Sequence, residues 1–79
     1  MASFQIVRAG DRFNDIVQGG EIVARVINGD DGWKAYRVTK TDRVNAMGPV
    51  YEVIGEGVKA NKLINLTDGA DRIAVALGL

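Results

Sequence analysis

No cysteine and no histidine occur in these 79 residues. The first absence removes disulfides and thiolate chemistry, and the second removes the commonest general base and transition-metal ligand. Serine occurs once, at Ser3, with no imidazole in the chain to activate it. No apolar run approaches the ~20 residues that span a bilayer, and the opening MASFQIVRAG lacks a signal-peptide pattern. These absences predict a cytoplasmic protein with no membrane partner.

What is present suits one small α+β domain covering residues 1–79. At this size folding buries only ~60% of the unfolded chain's surface, which leaves little room for a buried catalytic cleft. Hydrophobic residues at 47% and charged residues at 25% are ordinary for a globular chain. Ten basic side chains balance ten acidic ones, which argues against an indiscriminate polyanion binder. The balance is uneven along the chain. Between residues 33 and 43 stand Lys34, Arg37, Lys40 and Arg43 against Asp42 alone, while acids gather at Asp30/Asp31, Glu52/Glu56 and Asp68/Asp71.

Residues 20–43 form the stretch around which the rest is read. Two runs rich in β-branched and aromatic residues, 22–27 and 33–39, flank Gly29-Asp30-Asp31-Gly32, the pattern of a β-hairpin. A type I turn closed by Gly32 in the left-handed region is expected, because glycine takes positive φ without a Cβ clash. That turn would pair Gly29 with Trp33, Ile27 with Ala35, Val26 with Tyr36, Arg25 with Arg37 and Ala24 with Val38. One face then collects Ile22, Ala24, Val26, Tyr36 and Val38 as core. The other carries Val23, Arg25, Ile27, Trp33, Ala35 and Arg37, mixing apolar and cationic groups.

Ahead of the hairpin, residues 3–8 alternate as a short strand with Phe4 and Ile6 inward. Residues 11–20 fit either one or two helical turns or a second short strand, and the short length favours a loop or strand. After the hairpin, residues 41–49 read as a connection, with Asp42, Asn45, Gly48 and Pro49 supplying turn chemistry. Residues 50–57 form a further strand, and Gly55 and Gly57 predict a bend or bulge near its end. Residues 58–67 are weakly patterned. The last segment is a helix: Asp68 is the expected N-cap, Asp71 lies in the first turn, and Ala70, Ile73, Ala74 and Leu77 make one apolar stripe. Gly78 closes it. The fold class expected is α+β, an antiparallel sheet of three to five strands with this helix on one face, against Ile22, Val26, Tyr36 and Val53. The opposite face stays uncovered unless a partner covers it.

No constellation for catalysis appears. Asp30, Asp31 and Asp42 lack the alternation of a calcium loop, and Gly55-Glu56-Gly57 lacks the glycine and lysine spacing of a phosphate loop. The pairs Asp11/Asp15, Glu52/Glu56 and Asp68/Asp71 each have a structural role in a turn, strand face or helix start. The chain is therefore read as non-enzymatic, with no cofactor, metal or small-molecule substrate. The feature above background is a candidate partner-binding set: Arg25, Trp33, Lys34, Arg37, Lys40 and Arg43. Arginine offers a planar fork for carboxylate or phosphate, and tryptophan an anchor. The same cations also serve simply to guard a solvated sheet against edge aggregation.

The size, the absence of Cys and His, the sheet-plus-one-helix layout and the Gly/Ala/Val-rich composition resemble small phage-encoded anti-CRISPR proteins, in particular inhibitors of type I (Cascade) systems. That resemblance implies a phage protein acting in the bacterial cytoplasm, which binds the effector complex and blocks target-DNA binding by occlusion. The alternative is a small nucleic-acid-binding module that uses a basic sheet face, against which stand the zero net charge and a pI of about 6.1.

Overall fold

The computed structural model describes residues 3–46 and 48–79. Five strands follow in chain order: β1 (Gln5–Arg8), β2 (Phe13–Gln18), β3 (Glu21–Gly29), β4 (Gly32–Asn45) and β5 (Gly48–Lys59). One helix, α1 (Gly69–Ala76), comes last. The strands pair antiparallel with their sequence neighbours in a single sheet of order β1-β2-β3-β4-β5. Each strand pairs with the one next to it in the chain, so local chemistry largely sets the topology.

The segment that reads as helix or strand is the strand β2. Gln18 pairs with Glu21, and the two residues between them, Gly19 and Gly20, both have positive φ, 60° and 83°. That is the turn whose twist matches a hairpin, and it nearly requires glycine at both positions. β1 in turn pairs with β2 at the edge of the sheet. Across β2 and β3 a bulge inserts Val23, since Ile16 faces Ala24 while Val17 faces Ile22.

At the central hairpin Gly32 has the expected positive φ, 96°, and among the described residues none other than glycine does. The register, however, is one residue from the expected one. Gly29 pairs with Gly32, Asn28 with Trp33, Val26 with Ala35, Arg25 with Tyr36 and Ala24 with Arg37. Gly32 stays in the ladder instead of bulging out of it, and a slip of one moves every β4 side chain to the opposite face. Contacts further along the chain favour this choice. The Trp33 carbonyl accepts from the Ala60 N–H at 2.9 Å, and the Trp33 N–H donates to Asn61 Oδ1. On the far side of β4, Tyr36 rests on Gly57, where a Cβ would lie 2.5 Å from the ring.

The buried cluster follows from that register. It contains Ile16, Ala24, Val26, Ala35, Ala60, Ile73 and Leu77, with Phe4, Ile6, Val23, Trp33, Val58, Leu63 and Ile64 packed around it. Phe4, Ile6 and Val26 point inward as their alternation predicts. Ile22, Tyr36 and Val53, expected beneath the helix, are not in the cluster. Ala35 takes the place expected for Tyr36. In α1 the stripe Ala70, Ile73, Ala74 and Leu77 is buried. Its end is a Schellman closure: the Gly78 N–H donates to the Val75 carbonyl and the Leu79 N–H to the Ala74 carbonyl, with Gly78 at φ 79°. Asp68 stands at the N-cap without capping. Its carboxylate instead accepts from Arg72 Nε at 2.8 Å, and that guanidinium holds the Asp68 carboxyl below the usual carboxylate range. Asp71 ties the helix to the chain's start by accepting from the Phe4 N–H at 3.0 Å.

Residues 41–49 are not merely a connection. β4 and β5 run through them, with Val44 opposite Pro49 and Asn45 opposite Gly48. Thr41 makes this possible: its hydroxyl donates to the Val50 carbonyl at 2.7 Å and accepts from the Arg43 N–H at 3.2 Å, holding the bulge between Lys40 and Val44. Because β3 pairing stops at Arg37, the rest of β4 and its β5 partner project as a two-stranded ribbon, roughly 25 Å long at ~3.3 Å per residue. Among the described residues no helix is long and apolar enough to cross a membrane.

Candidate binding face

Side chains directly opposite one another across a ladder share a face. The pairing therefore assigns every strand residue to the clustered side or to the other, open side. Two rows cross the centre of the open side. One runs Val7, Asp15, Arg25 and Tyr36; the next runs Phe13, Ile27, Lys34 and Lys59. Farther along β4, Val38 and Lys40 continue this side with Val53 and Tyr51 opposite them. None of these apolar side chains belongs to or packs against the buried cluster.

The six residues singled out in the sequence separate accordingly. Arg25, Lys34 and Lys40 share the open side. Trp33 and Arg37 lie on the other one, with Ala35 and Ala24. Trp33 is half-buried and packs against the cluster, so it offers no exposed anchor beside Arg25. Arg43 sits on the exposed ribbon and forms an ion pair with Glu52. The expected arginine pair with a neighbouring indole does not exist, because the one-residue difference in register breaks it.

Arg25 is itself occupied. Its Nε donates to Asp15 Oδ1 at 2.9 Å, with side-chain exposures of 27% and 10%. Its guanidinium carbon lies 4.9 Å from the centroid of the Phe13 ring, within cation–π range. Asp15 is the buried charged residue of the sheet, and a buried carboxylate requires such a partner. Arg25 thus acts chiefly as a brace that neutralises Asp15.

The lysines differ. Lys34 faces Lys59 directly across β4 and β5, a like-charge pairing that costs stability. Among the described residues no carboxylate comes within ion-pair distance of Lys34, Lys40 or Lys59. Counted over paired positions, the open side holds Arg25, Lys34, Lys40 and Lys59 against Asp15, a surplus of three positive charges. The other side balances Arg8 and Arg37 against Glu21 and Glu52. A chain of zero net charge therefore has one cationic face. Three of its five aromatic residues, Phe13, Tyr36 and Tyr51, lie there as well.

Sequence reasoning missed Phe13, Asp15, Tyr36, Tyr51 and Lys59 as members of this face. The Phe13-Asp15-Val17 alternation was a usable signal once β2 was taken as a strand. The contact between Tyr36 and Gly57 had none, because it spans a bulge. Concavities are shallow: a notch of about 250 Å³ at the fork of β3 and β4, and another of similar size between Ile27, Lys34, Tyr36 and the turn acids Asp30 and Asp31. Both fall below the ~300 Å³ at which small-molecule sites usually begin; two wider, open concavities of about 400 Å³ lie elsewhere, one between Phe4, Ile6, Leu66 and Ala70 and one beside Leu63, Arg72 and Val75. Among the described residues no three metal-ligating side chains come together. No protein-family model matches the chain, and no curated protein or solved structure is significantly similar to it.

Proposed function

We propose that this chain is a non-enzymatic interaction protein that occludes a larger bacterial nucleoprotein complex through its open sheet face. The specific form we favour is that implied by the resemblance noted above, a phage anti-CRISPR inhibitor that binds a type I effector complex and denies it target DNA. The helix and the segment before it close over the clustered face, and a partner covers the other. The observation that supports this reading is the surplus of lysine charge without ion-pair partners among the described residues on one side of a net-neutral chain. Complementary potential of this kind steers association and fixes orientation. The lack of Cys and His, the commonest catalytic thiol and general base, supports the non-enzymatic reading.

The test is a gel-shift measurement of target duplex binding by a purified type I effector complex, with the protein added at increasing concentration. Inhibition by the wild-type chain is expected, together with its loss in the Lys34→Glu/Lys59→Glu variant at unchanged melting temperature. An effector that binds target equally well at saturating protein would overturn the assignment. Inhibition that survives the double substitution would show that another surface is used.

A further inference from the structure

We infer that the open face contacts nucleic acid directly and takes a single strand, with bases stacked on its aromatic rings and phosphates held by its lysines. This rests on the reading of that face as the working surface, and adds the class of ligand it meets.

Three observations lead there. The first is the Lys34–Lys59 pair, aligned across the ladder with no carboxylate in reach among the described residues. Two like charges held side by side are relieved by an external anion. Lysine is also depleted in protein–protein interfaces, whereas phosphate is met well by a mobile point charge. The second is the backing of Tyr36. Gly57 leaves its Cα bare beneath the ring, and any Cβ there would meet Cε2 at 2.5 Å. One ring face thus lies on the backbone of β5, and the ring is held flat, as a stacking surface needs to be. Such platforms, interleaved with cations, bind single strands with little dependence on sequence.

The third is width. Five strands spaced ~4.8 Å apart make a surface roughly 19 Å across. A major groove is about 12 Å wide and admits a helix or a two-stranded ribbon, so this face cannot enter a duplex. The β4–β5 ribbon is narrow enough, but its Arg43 is engaged by Glu52 and Asp42 stands beside it, which leaves Lys40 as its single cation without an ion-pair partner among the described residues, too little charge to hold a groove. The turn acids Asp30 and Asp31 bound the cationic row at one end, so the strand's path runs from Lys34 and Lys59 toward Lys40 and Tyr51.

The experiment is fluorescence anisotropy with labelled oligothymidylate of ~12 nucleotides and a labelled duplex of equal length, at about 50 and 200 mM salt. The expected result is micromolar binding of the single strand and at least tenfold weaker binding of the duplex. Tyr36→Leu should weaken binding about tenfold and leave the salt slope unchanged. Lys59→Gln, on the exposed rim, should lower that slope by ~0.7, whereas Lys62→Gln should not. Equal affinity for the duplex, or wild-type behaviour of both Tyr36→Leu and Lys59→Gln, overturns the inference. So does an absence of single-strand binding while the effector is still inhibited, which leaves the proposed function standing. If the effector's protein subunits stripped of RNA retain the chain as well as the loaded complex does, the face meets an acidic protein surface, and the inference fails.

Discussion

Replacing Ala35 by leucine tests the register on which the open face depends. Ala35 is fully buried, paired with Val26 on one side and Val58 on the other, in a cluster that also holds Ala24, Ala60 and Ile73. Its neighbours leave room for a methyl group. Three further carbons force off-rotamer packing at a cost of ~1–3 kcal/mol. A domain of this length has ~4–12 kcal/mol of stability, and each kcal/mol moves its melting temperature by ~4–8 °C. Ala35→Leu should therefore lower the melting temperature by on the order of 10 °C in a circular-dichroism melt. Lys34→Leu, one residue earlier and half-buried on the other face, should change stability by less than ~0.5 kcal/mol. In the alternative register, with Gly29 facing Trp33, Ala35 would lie beside Ile27 on the open side. A melting temperature for Ala35→Leu within 2 °C or so of wild type would refute the pairing described above.

Three further outcomes follow from particular contacts. Asp15→Ala strips Arg25 of its partner in a half-buried site and should cost ~1.5–3 kcal/mol; urea midpoints measure it, and a neutral result would mean that Arg25 is fully hydrated. Gly69→Ala would place a Cβ 1.8 Å from the Leu63 carbonyl oxygen, so the turn before α1 must shift, at a cost of ~1–3 kcal/mol; an unchanged melt would contradict that approach. Arg72→Gln should raise the Asp68 pKa toward its ordinary value in an NMR titration, since the Arg72 hydrogen bond is what lowers it. Because the folded-state value is depressed, the contact's contribution is present above the unfolded pKa and is lost as pH falls through the folded one. An Asp68 titration identical in the two proteins would show that the pair does not form in solution.

Much of this architecture is visible in the amino acids. The positive φ of Gly32 in the central turn, the inward Phe4 and Ile6, and the stripe from Ala70 to Leu77 each come from local chemistry, and the structure places them as that chemistry predicts. The register does not. The run Trp33-Lys34-Ala35-Tyr36-Arg37-Val38 has apolar groups in both phases, so alternation alone leaves either face inward. Contacts to Asn61 and Gly57, 28 and 21 positions further along the chain, resolve it. The ribbon was hidden for a different reason. The polar residues 41–45 look like a loop until the Thr41 hydroxyl supplies bonds that let the strands continue around the bulge. Consequently the cationic character of the face was legible, whereas its membership was not: Trp33 and Arg37 leave it, and Tyr36 and Lys59 join it.

That the open face is the working surface is tested most directly by lysine footprinting. The chain has four lysines, of which Lys34, Lys40 and Lys59 lie on this face and Lys62 lies beyond β5. Acetylation rates are read by mass spectrometry on the free protein and on protein bound to a type I effector complex. Strong protection of Lys34 and Lys59 with Lys62 still reactive is the predicted result. Lys34 and Lys59 reacting as fast in the bound state as in the free one would contradict it.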